Sequence, residues 1–144
     1  MGKELFIMKA IILFYSYTGK TKALAEKKSH ELGADIEEIK DLKRPGTIAA
    51  YVVGSLRARR QKQAAISPIQ ANLADYENII IMAPLWAGYP APAMNNILEA
   101  LPAGKQIDMI ITSGSGNSSA SADNTKALIT AKGCEVISYT DVKS

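Results

Sequence analysis

Residues 10–21 read AIILFYSYTGKT, an unbroken apolar run followed at once by hydroxyl groups around a glycine. The apolar run, from Met8 to Tyr15, is typical of a strand buried on both faces. A helical pattern from Thr21 to Leu32 follows directly. A strand that ends in Ser-x-Thr-Gly-x-Thr and turns into a helix brings backbone N–H groups, hydroxyls and the positive end of a helix to one point. The stretch therefore predicts an anion site, most often one for phosphate.

The composition is that of an ordinary globular domain. The chain has 144 residues, of which 47% are hydrophobic and 22% charged, so we expect one domain over residues 1–144, with residues 1–7 as an N-terminal extension. A net charge of +3 is too small for a nucleic-acid binder, and no apolar run reaches the roughly 20 residues of a membrane helix. The one cysteine, Cys134, excludes an internal disulfide and fits a reducing compartment. We expect a soluble cytoplasmic protein.

Apolar runs alternate with helical patterns along the whole chain. The predicted strands are residues 8–15, 35–39, 78–83, 106–112 and 135–139, and the predicted helices are residues 21–32, 45–62, 90–101 and 120–132. Five strands that alternate with four helices predict an α/β fold with a doubly wound five-stranded parallel sheet. Ligands of such sheets bind beyond the carboxyl ends of the strands. Three loops rich in small and polar residues fall there: 16–21, 84–92 and 113–119.

Two other phosphate-handling folds share parts of this pattern. Residues 19–21, GKT, match the end of the Walker A motif, but Phe14 occupies the position of its first glycine. Pro84 ends the third strand, where that class of nucleotidase needs a magnesium-binding carboxylate. A phosphoacceptor receiver domain needs acidic residues after the first strand and an aspartate at the end of the third, where Ser16 and Pro84 stand. A helix cap without any ligand remains the alternative for the threonines, although capping requires only one hydroxyl.

The first two loops together resemble a known family. Residues 16–21, SYTGKT, are similar to the (S/T)-x-T-G-x-T phosphate loop of the flavodoxins. Residues 83–92, APLWAGYPAP, resemble the P-x-W-x-G-x-P-A-P loop of a short flavodoxin-like subfamily, which commonly has Tyr-Asp where Tyr76 and Glu77 stand. The resemblance extends from Met8 to Tyr139. It implies a flavodoxin-like sheet of strand order 2-1-3-4-5 and noncovalent binding of flavin mononucleotide (FMN).

The resemblance also implies which residues contact FMN. Hydroxyl groups of the first loop would hold the phosphate, and Trp86 would stack on the isoalloxazine ring, which contributes about 0.5–1.5 kcal/mol beyond area burial. Packing between the loop and a helix is the alternative role of Trp86. The third loop would run under the pyrimidine edge, and since it has no tyrosine, one flavin face would be open. The predicted cofactor-binding residues are Ser16, Tyr17, Thr18, Gly19, Lys20, Thr21, Pro84, Leu85, Trp86, Ala87, Gly88, Tyr89, Ser113, Gly114 and Gly116, with no catalytic residue and no metal site.

The predicted function is electron transfer by an FMN-binding protein. The three loops and their edges hold a single carboxylate, Asp123, whereas Lys20 lies in the phosphate loop, so reduced flavin is less disfavoured than in an acidic carrier. An open flavin face would admit a nicotinamide, so an NAD(P)H-dependent flavin or quinone reductase is the first alternative. A flavin-free binding or scaffold domain is the second. The partner would be a redox protein or a small redox substrate, and neither nucleic acid nor a membrane is expected.

The sequence ends at Ser144, soon after the last predicted strand, without the closing helix that flavodoxins usually have. Lys28 stands between Leu24 and Leu32 on the predicted inward stripe of helix 21–32, so we expect this helix face to be only partly covered. Apolar sheet surface would then be exposed on the same side and covered by residues 1–7 or by a second subunit, which predicts a homodimer. A basic cluster is expected to form a solvated face or, alternatively, to dock an acidic redox partner; it comprises Arg57, Arg59, Arg60 and Lys62.

Overall fold

The computed structural model describes residues 9–40 and 66–144 as alternating strands and helices. The strands are β1 (Ala10–Phe14), β2 (Asp35–Glu38), β3 (Asn78–Trp86), β4 (Tyr89–Pro90), β5 (Gln106–Ser113) and β6 (Glu135–Lys143). The helices are α1 (Lys20–Leu32), α2 (Pro92–Glu99) and α3 (Ala122–Ala131), with a short 3-10 turn at Leu73–Asp75. The predicted helix 45–62, the basic cluster within it and residues 1–7 lie outside the described residues.

The strands form one sheet in the order β2-β1-β3-β5-β6, and the short β4 pairs antiparallel with the end of β3. All other pairs are parallel. The predicted doubly wound parallel sheet of order 2-1-3-4-5 is therefore confirmed, with β4 as an addition that was not predicted. None of the described helices is both long and apolar enough to cross a membrane.

The central strands fill two core layers, one on each face of the sheet. Ile79 and Ile81 of β3 belong to the layer that includes Met94 of α2. Ile80 and Met82 belong to the opposite layer, under α1. Because side chains alternate across a strand, a strand with helices on both sides must be apolar at every position. The apolar runs of the sequence therefore marked the buried strands correctly.

Strand pairing moves several predicted bounds. β3 ends at Trp86 rather than at residue 83, because its last two residues pair with β4. β6 continues to Lys143 rather than to residue 139, because it pairs with β5 as far as Ser113. The helix predicted at residues 90–101 is α2, which spans Pro92–Glu99.

Helix α1 packs on the sheet through small residues. Its buried residues are Thr21 and Ala25, and Lys28 is partly exposed, as expected. The prediction that Leu32 faces inward is wrong, since 56% of its surface is exposed. Eight residues after Leu24, a helix has turned by about 80° beyond two full turns. A stripe at every fourth residue therefore leaves the buried face.

The expected exposure of apolar sheet surface on the α1 side is found at the edge strand β2 and not in the middle of the sheet. Ile36 pairs with Ile12, shares its face and is 38% exposed. Ile80, Met82 and Ile110 are at most 5% exposed. Further along the same face the sheet is polar, since Asn78 Nδ2 donates to Asp108 Oδ2 at 2.9 Å and Ser138 Oγ donates to the other carboxylate oxygen of Asp108. The homodimer stays a prediction, which size-exclusion chromatography with light scattering tests.

Two carboxylates anchor the edge strand β2. The Glu37 carboxylate accepts hydrogen bonds from the backbone N–H groups of Gln70 and Ala71, with N···O distances of 2.6 and 2.8 Å. The Tyr76 hydroxyl donates to Asp35 Oδ2 at 2.6 Å. This bond, together with burial and the nearby carboxylates, raises the pKa of Tyr76 to about 12. β2 is thus tied to the segment that precedes β3.

Candidate functional site

The three predicted ligand loops meet at the carboxyl end of the sheet around one cavity. Its volume is about 170 Å³, below the roughly 300–1,000 Å³ of typical ligand pockets, so it has room for only one part of a typical ligand. The cavity is lined by Tyr17, Thr18, Lys20, Thr21, Pro84, Leu85, Trp86, Thr112, Ser113, Gly114 and Ser144. Of the predicted residues, Ser16, Gly19, Ala87, Gly88, Tyr89 and Gly116 do not line it.

The first loop is shaped by its own hydrogen bond. The Gly19 N–H donates to Ser16 Oγ at 3.1 Å, so the Ser16 hydroxyl holds the turn. Gly19 has φ +96°, a left-handed conformation that favours glycine. α1 begins at the next residue, and the first N–H groups of a helix have no partner within it. These groups and the positive helix end border the cavity at Lys20 and Thr21.

Two buried threonines in the cavity lining share a hydrogen bond between their hydroxyls. Thr21 Oγ1 and Thr112 Oγ1 are 2.8 Å apart, and either can be the donor. The two residues are only 2% and 3% exposed. Thr112 was not among the predicted site residues, because its position fitted an apolar strand. Its signal was present in the sequence: it is a polar residue at the carboxyl end of a parallel strand, next to a ligand loop.

The second loop is a hairpin rather than an irregular loop. Ala87 and Gly88 have φ +52° and +88°, which is the signature of a type I′ turn between β3 and β4. The Ala91 N–H donates to the Pro84 carbonyl oxygen at 2.9 Å and closes the hairpin before α2. Ala87, Gly88 and Tyr89 do not line the cavity, and their predicted contact with the cofactor stays a prediction.

The hairpin turn gives two substitutions of opposite expected sign. Gly88→Ala should lower the free energy of unfolding by about 1 kcal/mol, because alanine is strained at positive φ. The added Cβ would lie 3.8 Å from Ala120 Cβ, an ordinary contact, so no clash contributes. Ala87→Asn should raise it by about 0.5 kcal/mol, since asparagine suits this turn position. Urea unfolding measures both, and shifts of the same sign would contradict the turn type.

Trp86 lines the cavity and contacts two tyrosines. Its ring centroid is 6.0 Å from that of Tyr15 and 5.6 Å from that of Tyr17, with interplanar angles of 77° and 89°. Such edge-to-face contacts are favourable aromatic geometries, and they hold the indole in one orientation. The two alternative roles of Trp86 are compatible, because its ring packs against the tyrosines and also lines the cavity.

The third loop is held by its own side chains. The N–H of Gly116 donates to Ser113 Oγ at 2.9 Å, and the N–H of Ser119 donates to Asn117 Oδ1 at 2.8 Å. At the far end, the hydroxyls of Ser118 and Tyr139 are 2.6 Å apart, and burial raises the pKa of Tyr139 above its ordinary value. The loop therefore presents a fixed backbone to the cavity.

Lys20 is the one charged side chain among the described residues that line the cavity. Asp123 lies outside the lining, in the first turn of α3. Together with the positive end of α1, Lys20 makes the cavity attractive to an anion. No group of three or more histidines, cysteines, aspartates or glutamates in residues 9–40 and 66–144 could hold a metal ion.

Comparison with known proteins agrees with this fold. The structure is similar to that of a flavoprotein from Lactobacillus acidophilus solved in complex with FMN, with a TM-score of 0.78 and 22% sequence identity over 92% of each chain. It is also similar to a protein from Bacteroides eggerthii provisionally assigned as a flavoprotein, with a TM-score of 0.80 and 22% identity over 93% of this chain and 87% of the other. No curated protein matches the sequence. A flavodoxin family model matches residues 9–140, and the chain therefore belongs to the flavodoxin family.

Proposed function

We propose that this chain binds FMN noncovalently and transfers electrons through it. The observation that carries the proposal is the single cavity in which the start of α1, the Trp86 hairpin and the third loop meet. Family membership supports the same cofactor, and a structure of the same fold contains FMN. The redox chemistry is supplied by FMN when it is bound.

The residues around the cavity fit both ends of FMN. A phosphate monoester carries about −1.5 to −2 charges at pH 7, and it would find N–H donors at the start of α1, the hydroxyls of Thr18 and Thr21, and the Lys20 ammonium. The flat ring would lie along Trp86, on the open surface beside the cavity. Backbone groups of Ser113 and Gly114 would meet its polar edge. The small enclosed volume suits the phosphate end and leaves the ring accessible.

A second function is favoured by the charge and openness of the site. No aspartate or glutamate side chain lines the described cavity, and residues 113–119 contain no aromatic residue that could cover the second flavin face. Both features would allow a nicotinamide to approach the ring. An NAD(P)H-dependent flavin or quinone reductase is therefore the alternative proposal.

Titration of the purified protein with FMN tests cofactor binding. Because Trp86 is the only tryptophan, stacking should quench the protein's emission, with saturation at about micromolar FMN or below. Riboflavin, which lacks the phosphate, should bind more weakly. A colourless protein whose emission does not change with FMN would contradict the proposal and support a flavin-free binding domain.

Stopped-flow mixing of the FMN-loaded protein with NADPH separates carrier from reductase. A carrier should keep the absorbance of oxidised flavin for minutes, because it receives electrons from a redox partner and not from NADPH. Bleaching within seconds would identify a reductase instead.

A redox protein or a small redox substrate is proposed as the partner of this chain. A cytoplasmic location is proposed as well.

A further inference from the structure

We infer that Thr112 is a positioning residue for the phosphate end of the cofactor, acting through the hydroxyl of Thr21. This inference rests on the proposed function. The two hydroxyl oxygens are 2.8 Å apart, and both side chains line the cavity. The sequence did not predict Thr112 as a site residue. It lies 91 positions from Thr21 along the chain, so local chain geometry does not explain the contact.

The two threonines come from different parts of the fold. Thr21 lies in the first turn of α1. Thr112 lies near the end of β5, where it is paired with Pro84 of β3 and Val142 of β6. The hydrogen bond therefore fixes the start of α1 relative to the strand that leads into the third loop. With exposed fractions of 2% and 3%, neither hydroxyl has ready access to water as a replacement partner.

The direction of this hydrogen bond depends on the ligand. A hydroxyl has one proton to donate but can accept from other groups, whereas phosphate oxygens of the dianion only accept. A Thr21 hydroxyl that binds phosphate must donate its one hydrogen bond to a phosphate oxygen. It can then only accept from Thr112, so Thr112 becomes the donor. Hydrogen bonds in such a chain polarise one another. Thr112 thus strengthens the hydrogen bond from Thr21 to the phosphate and holds the Thr21 side chain in one rotamer.

The third loop does not require the Thr112 hydroxyl. Ser113 Oγ accepts from the Gly116 N–H, and the Ser113 carbonyl oxygen accepts from the Ser144 N–H. Loss of the Thr112 hydroxyl should therefore spare the loop that would meet the ring. A positioning role predicts a loss that is specific for the phosphate, whereas a purely structural role predicts the same loss for every flavin.

The test compares FMN with riboflavin in Thr112→Val, which keeps the side-chain shape and removes the hydroxyl. The Kd for FMN should rise about 5- to 20-fold, as for the loss of a bond in a charge-assisted chain, while the Kd for riboflavin changes less than about 2-fold. Thr112→Ser should return FMN affinity to within about 3-fold of the natural chain. The double variant Thr21→Val with Thr112→Val should bind FMN no more weakly than Thr21→Val alone, since Thr112 acts through Thr21.

Equal losses for both flavins, unchanged FMN affinity in Thr112→Val, or additive losses in the double variant would each overturn the role of Thr112. Hydroxyl-proton NMR of the unsubstituted chain gives a readout that does not depend on a variant's folding. FMN, but not riboflavin, should slow the exchange of the Thr112 hydroxyl proton, and the absence of that difference would also overturn it. A natural chain that binds neither FMN nor inorganic phosphate would instead contradict the proposed function itself.

Discussion

Replacing Trp86 with alanine is expected to weaken FMN binding by about 30- to 150-fold. The expectation combines the apolar area that the indole would cover on a flavin with the additional energy of aromatic stacking, together about 2–3 kcal/mol. The edge-to-face contacts with Tyr15 and Tyr17 already fix the ring, so the natural chain loses little side-chain freedom on binding. Flavin absorbance measures the Kd, because the variant has no tryptophan emission.

The matched control for this prediction is Trp86→Phe. Phenylalanine keeps an aromatic face in the hairpin, so the loss in FMN affinity should be only about 3- to 10-fold. Thermal unfolding of both variants shows how much of the effect comes from the lost packing against the tyrosines. A folded Trp86→Ala chain that binds FMN within 3-fold of the natural chain would show that the ring only packs the hairpin.

Replacing Glu37 with alanine is expected to lower the free energy of unfolding by about 2 kcal/mol and Tm by roughly 6–10 °C. Both carboxylate oxygens accept backbone N–H groups, from Gln70 and Ala71. Bonds to a charged acceptor are stronger than neutral ones, and alanine leaves both donors without that acceptor. The edge strand would lose its attachment to the segment before β3. Urea unfolding measures the change.

The next residue along β2 provides the control. Glu38 makes an ion pair with Lys22 at an N···O distance of 3.6 Å, and the Lys22 side chain is 48% exposed. Exposed pairs of this kind contribute little, so Glu38→Ala should cost less than about 0.5 kcal/mol. Equal costs at the two positions would show that charge on the strand matters, and not the hydrogen bonds to residues 70 and 71.

Most of the fold followed from local patterns. The apolar residues of β1 and β3 marked strands buried on both faces, and glycine or proline marked the ends of the helices, as Gly33 does after α1. Strand bounds were less predictable, because β6 reaches Lys143 only by pairing with β5. The hairpin after Trp86 was missed for a different reason: alanine is uncommon at positive φ, so Ala87 gave no turn signal.

The candidate site was likewise only partly predictable from the sequence. Two short motifs, SYTGKT and APLWAGYPAP, were sufficient to name loops that the structure brings to one cavity, because each motif is contiguous and its chemistry is local. The sequence did not predict the residues that reach the site or the edge strand from distant parts of the chain. Thr112 and Ser144 line the cavity, and Glu37 holds the edge strand, through contacts between residues far apart in the chain.

The order of residues alone thus predicted the parallel sheet and the family correctly and located the loop proposed to hold phosphate, since periodicity and motifs are carried by neighbouring residues. Tertiary structure decided which hydroxyl faces Thr21, how Trp86 is braced, and which predicted loop residues leave the cavity. Those outcomes depend on how α1, β3 and β5 pack together, and the distance between Thr21 and Thr112 is set by that packing.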